Sequence, residues 1–208
     1  MALPYGTGPS TSPFRTTSWT YKKSNLSIDN AKIRAKNSLY RAVECAHKAK
    51  NKNDKIKIAG SITSIEDCYE PSKYPGDRIA CEIYGETIEW IVDSGVDLIL
   101  FETMGNINEI KCALSLVKNC KLPIWLSLIM QNNNVLLDGT DIDIVFNQLR
   151  PHNLDCILNS DHPYNLLYPQ YQYINIQKKC LELFQYHLVH IRRMSQLYIL
   201  HQNFEVQE

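Results

Sequence analysis

Glu102 is the residue whose type and place most invite chemistry. It follows the apolar run Leu98-Ile99-Leu100-Phe101 within GVDLILFETMGNINEIKCALSLVKN (95–119), just ahead of a helical pattern that opens at Asn106. A carboxylate where a buried strand emerges has two uses. It can meet a ligand, where its charge suits an ammonium group. It can equally cap a neighbouring helix or pair with a lysine. The pattern admits both. Gly60, Ser61, Met130, Asn159 and Ser160 fall at the equivalent ends of other strand-like runs, and parallel α/β folds bind ligands beyond those ends.

Sulfur and imidazole come next. The chain has seven cysteines, an odd count with no CxxC spacing, which fits free thiols in a reducing compartment better than a disulfide framework. Cys156 precedes Ser160 by four residues. In a strand that puts both on one face but about 13 Å apart, so they cannot share an ion without a register shift. Cys180 stands alone in a predicted helix. His162 follows Ser160 closely, and His187 and His190 have helical i, i+3 spacing. A zinc site improvised from Cys180 and these histidines is conceivable, but lone helical histidines are ordinarily surface or capping groups. No P-loop, GxGxxG, HExxH or GxSxG occurs, which argues against nucleotide-binding and common hydrolase chemistry.

The elements that must position these groups alternate in type. Residues 1–13 are rich in Pro, Gly, Ser and Thr and are expected to form a disordered leader. FRTTSWTY (14–21) reads as a strand. Residues 28–49 read as a helix with the stripe Ala31, Ala35, Leu39, Ala42, Ala46. KIKIAGSI (55–62) is a strand, 63–77 a long loop, and 78–93 a helix. VDLILFET (96–103), LPIWLSLIM (122–130) and LDCILNS (154–160) are strands buried as in parallel sheets. Asn106 with Glu109 resembles a capping box for a helix through Ile107, Ile110, Leu114 and Val117. DGTDIDIVFNQL (138–149) turns into another helix. Five strands with crossover helices imply parallel pairing. Residues 177–201 read as one amphipathic helix. Trp90 and Trp125 read as packing residues, and the hydroxyls Thr16, Thr17, Ser18 and Thr20 as strand formers that could also bond a ligand.

Length and composition bound the class. The 208 residues, 44% hydrophobic and 21% charged, suit one soluble domain. The formal net charge is zero, so no basic excess favours nucleic acid or a membrane surface. No apolar run reaches the ~18 residues of a spanning helix, and no secretory signal pattern opens the chain. A cytoplasmic location is expected.

Taken in order, IAGSI (58–62), GVDLILFETMGNINE (95–109), PIWLSL (123–128), LLDGT (136–140) and CILNS (156–160) resemble the homocysteine S-methyltransferase family. FRTTSWTYKKS and the helix after it resemble that family's second strand and helix. The likeness runs from about Phe14 to about Pro163. It implies a partial or incomplete TIM (β/α)8 barrel, truncated or divergent, with a barrel portion over 14–163 and a divergent helical tail over 164–208. It implies methyl transfer to homocysteine from a donor such as S-methylmethionine or S-adenosylmethionine, giving methionine. In the family, zinc held by three cysteine thiolates binds the substrate sulfur. A bound thiolate is the reactive nucleophile. The resemblance makes Glu102 and Asn159 substrate-binding residues, with the amino-acid part of homocysteine at Glu102.

This chain departs from the family pattern where the chemistry is hardest. Ser160 occupies the position of the first zinc cysteine, and a hydroxyl is a poor substitute for a thiolate. No adjacent cysteine pair supplies the other two ligands. The family's first strand and its last two are missing from the pattern, and five strands do not close a barrel. The expectation is therefore no intact catalytic or metal set, no zinc bound by this chain, and activity impaired or lost. The alternatives are a non-catalytic binding protein, one completed by a second chain or by self-association through open sheet edges, or a fragment of a longer enzyme. The loop segment PSKYPGDR (71–78) could close over substrate or be an ordinary surface loop.

Overall fold

The computed structural model describes residues 16–50, 56–132, 134–159, 186–189 and 197–202. Four strands run parallel in sequence order: β1 (Lys57–Thr63), β2 (Leu98–Met104), β3 (Ile124–Leu128) and β6 (Cys156–Asn159). Each neighbour in the sheet is the next of these strands along the chain. That is barrel order, without the reversal that marks a doubly wound sheet. Between β3 and β6 lie a small hairpin, β4 (Met130–Asn132) with β5 (Val135–Leu136), and a helix.

The helices α2 (Ile28–Lys50), α3 (Asp77–Asp93), α4 (Ile107–Leu116) and α5 (Ile142–Leu149) join one face of the sheet in the main core. Ile58, Ile62, Ile99, Phe101, Ile124, Leu126 and Leu128 point that way. The alternate residues Ala59, Leu98, Leu100, Trp125 and Cys156 form a second cluster on the opposite, inner face, as the period of two requires. The Ala31–Ala46 stripe is buried throughout, as expected. Small residues also set the spacing under α3. A Cβ on Gly60 would lie 2.4 Å from Ile91 Cγ2, so a larger residue there would push the helix off the sheet.

Two expectations fail. FRTTSWTY does not form a strand where it is described. Ser18–Lys22 is a short helix, α1, and the Thr17 hydroxyl caps it by accepting from the Thr20 backbone N–H. A threonine at an N-cap satisfies an orphan donor, and that local bond outweighs the strand preference of β-branched residues. The parallel strands therefore number four among the described residues, not five. The predicted helix over 177–201 is also not seen where it is described. Tyr186–Val189 (β7) and Leu197–Gln202 (β8) are strands, and β8 pairs antiparallel with β1. The runs YHLV and LYILHQ are aromatic and aliphatic enough to serve either period, and pairing with an available strand decides the outcome. It also occupies an edge of β1 that was expected to be open. The leader, Cys180, His162 and the rest of the tail lie outside the described residues.

Candidate functional site

The carboxyl ends of β1 and β2 carry a polar group on the inner face. Leu98, Leu100 and Glu102 share one side of β2, with the two leucines packed below. Ser61 of β1, 1% exposed, donates its hydroxyl to Glu102 Oε2 at 2.6 Å. Thr63, one step further along β1, is the register partner of Glu102 and bonds Thr103 side chain to side chain at 2.7 Å. The Ser64 hydroxyl donates to the Thr103 carbonyl.

Thr103 is the residue that sequence reading missed. It has φ of +56°, a left-handed conformation costly for a β-branched residue. The pairing of β2 with β3 shifts register between Phe101 and Met104. A bulge of this kind re-aims neighbouring side chains and often stands beside a site. The sequence signal for it is weak, since Thr103 is otherwise a good strand former.

The loop after β2 is held from outside. Asn106 accepts from the backbone N–H groups of Asn108 and Glu109, so it is the N-cap of α4 as expected. Asp138, in the LLDGT segment, accepts from the Ile107 N–H at 2.7 Å, and its own N–H donates to the Gly105 carbonyl. A Cβ on Gly105 would press on Leu137 at 3.1 Å. The DGT turn thus fixes the β2–α4 loop. Glu109 does not complete the expected capping box. It is 3% exposed and turns inward, accepting from the Ile65 N–H at 2.8 Å and the Tyr84 hydroxyl at 2.7 Å. The carboxylate therefore ties the loop after β1 to α3 and α4. The segment after it forms a 3₁₀ turn at Pro71–Lys73, and Asn106 Nδ2 donates to the Pro71 carbonyl.

Electrostatics set Glu102 apart. Burial pushes its carboxyl above the ordinary range, and the Ser61 hydrogen bond only partly offsets this. A cationic ligand group at this place would favour the charged form.

Asn159 ends β6 in register with Leu128 of β3, so it lies at the carboxyl end of its strand, with β3 between it and β2. Ser160 lies outside the described residues. Met130 begins the β4–β5 hairpin. The expected helical spacing of His187 and His190 does not hold at His187, which lies in β7 opposite His201. Trp90 and Trp125 are both core residues.

The resemblance implies a metal held by three thiolates, and no such donor set is found among the described residues. Among the described residues no three His, Cys, Asp or Glu side chains converge. Cys156 is 1% exposed beside Ala59, Leu98, Leu100 and Trp125. No described helix is long and apolar enough to cross a membrane.

Comparison with solved structures shows the same fold. The metallated form of the homocysteine methyltransferase MmuM from Escherichia coli matches with a TM-score of 0.63 at 19% identity, covering 71% of this chain and 55% of that one. Its oxidized form gives 0.62 at 19% identity, covering 71% and 55%. Its apo form gives 0.55 at 20% identity, covering 62% and 50%. The chain thus spans about half the length of the solved structures it matches. Comparison with curated protein sequences gives no match. The sequence profile of homocysteine S-methyltransferases matches residues 10–179, further into the tail than the motifs alone reach, and the chain belongs to the homocysteine S-methyltransferase family.

Proposed function

We propose that this chain binds homocysteine at the carboxyl ends of its strands, with Glu102 receiving the α-ammonium group. The observation that carries this is the raised, inward-facing carboxylate of Glu102, held by Ser61 at 2.6 Å. A buried carboxylate with an elevated pKa is destabilised in its charged form. A cation that pairs with it recovers that energy on binding. The family's reaction passes a methyl group from a sulfonium-type donor to the homocysteine sulfur, giving methionine. That sulfur must lose its proton to react. Glu102 and Ser61 would fix the amino-acid end, leaving the sulfur to reach toward Asn159.

On this reading the family's three thiolates, which would activate that sulfur, are not supplied by the residues at hand. Ser160 stands at the position of a metal thiolate, no cysteine pair follows, and a hydroxyl does not replace the soft anionic ligand. On this reading homocysteine binding is kept while turnover is impaired or lost. A second reading follows from length: a chain spanning about half of its structural relatives could work as one part of a longer or partner-completed enzyme.

Purified full chain, incubated with homocysteine and S-methylmethionine, tests both points. Homocysteine binding without methionine formation, and without stoichiometric zinc by atomic absorption, is the expected result. One zinc per chain with sustained methionine production contradicts the loss of activity. Absence of homocysteine binding contradicts the site.

A further inference from the structure

The helix side of the sheet holds a pair of thiols that the methyl-transfer reading does not use. Cys81 on α3 and Cys112 on α4 have their Sγ atoms 2.9 Å apart. A disulfide needs about 2.05 Å, so closing the gap takes under about 1 Å of side-chain movement. Cys112 is buried and Cys81 half-buried, which gives the pair one sulfur that a small oxidant can reach and one that it cannot. The helices carrying them are fixed relative to each other. Glu109 of α4 accepts from the Tyr84 hydroxyl of α3 at 2.7 Å, and Asn106 and Asp138 anchor the start of α4.

We propose that Cys81 and Cys112 form a reversible disulfide that staples α3 to α4, a modification site independent of homocysteine binding. With glutathione disulfide as oxidant the step balances. The Cys81 thiol loses its proton, and its sulfur attacks one sulfur of glutathione disulfide, releasing one glutathione. Cys112 then loses its proton and attacks Cys81 Sγ, releasing the second glutathione. Two protein thiols are oxidised and one glutathione disulfide is reduced to two glutathiones. The order follows from the surroundings. Burial, and then the contact with Cys81, pushes the Cys112 thiol up to about 12, so Cys112 resolves the mixed disulfide rather than initiating attack. The staple joins the helices on either side of β2 in the chain.

Equilibrating the full chain in glutathione buffers of rising oxidised fraction tests this by intact mass and peptide mapping. The expected product has lost two hydrogens, carries a Cys81–Cys112 linked peptide, and reverts fully with dithiothreitol. It accumulates in more than half of the chains at a buffer ratio that leaves the exposed Cys45 thiol free. Oxidation should raise the urea midpoint of the parent and leave that of Cys81→Ser unchanged. A stable glutathione adduct on Cys81 with Cys112 still reduced overturns the proposal, as does a link between any other pair. The mapping of the parent decides even if the variant folds poorly.

Discussion

Asp97 and Glu102 stand at opposite ends of β2, and their surroundings push them in opposite directions. Asp97, just before the strand, accepts from the Ile58 N–H at 2.7 Å and lies 3.3 Å from Lys50 Nζ and 3.6 Å from Lys57 Nζ. Burial alone would raise its carboxyl. The backbone bond and the two lysines outweigh that and hold it below the ordinary range. At Glu102 burial dominates and the carboxyl is raised. The amino end of this partial barrel is built to hold strands together. The carboxyl end keeps a buried, raised carboxylate, the place where the proposed function puts the ligand.

The widest break in this comparison comes from a third carboxylate. Glu109→Ala strands two buried donors, Ile65 N–H and the Tyr84 hydroxyl. It should lose about 3 kcal/mol in urea unfolding, since each hydrogen bond to a charged group is worth roughly 1.5–3 kcal/mol. Asp97→Ala should cost about 2 kcal/mol, because it removes the acceptor for one backbone N–H and leaves two partly exposed lysines without their partner. Glu102→Gln should do the reverse at neutral pH. It removes a charge that burial disfavours, so the variant should be at least as stable as the parent while losing about 10- to 100-fold in homocysteine affinity.

The smallest and sharpest test is the pH dependence. The lowered Asp97 contributes stability above its unfolded value of about 3.9, and that stability is lost as pH falls through its folded value. The raised Glu102 binds its proton more tightly in the folded state. The parent should therefore lose stability as pH rises from about 4.3 through the folded value of Glu102. In Asp97→Asn the acid-side loss should shrink. In Glu102→Gln the decline on the other side should vanish, leaving stability flatter as pH rises through that window.

The sequence made the sheet legible where periodicity and burial agree. LILF and IWL fell in β2 and β3, short apolar runs buried on both faces, and CILN formed β6. Asn106 was readable as a cap because its side chain acts on its own next turn. Glu109 was misread for the opposite reason. Its partners are a loop N–H and a tyrosine far along the chain, and no local pattern reports them. Thr103 and the bulge were hidden because a left-handed backbone leaves no mark on a threonine. Within 14–21 and 177–201 the described residues suit two structures, and the choice fell to a capping hydroxyl at 18–22 and to strand pairing at 186–189 and 197–202. The placement of Glu102 near the carboxyl end of β2 was legible from the apolar run before it. Its bond to Ser61 was not, since it needs the register between two strands.

The central claim is that Glu102 receives the amino group of homocysteine. Titration calorimetry of the full chain with homocysteine, repeated with Glu102→Gln and with the α-amine of the ligand acetylated, addresses it directly. The account predicts binding by the parent that strengthens as pH rises through the raised carboxyl, and at least tenfold weakening by either change. Equal affinity for the acetylated ligand, or an unaltered affinity in Glu102→Gln with its fold intact, would contradict it.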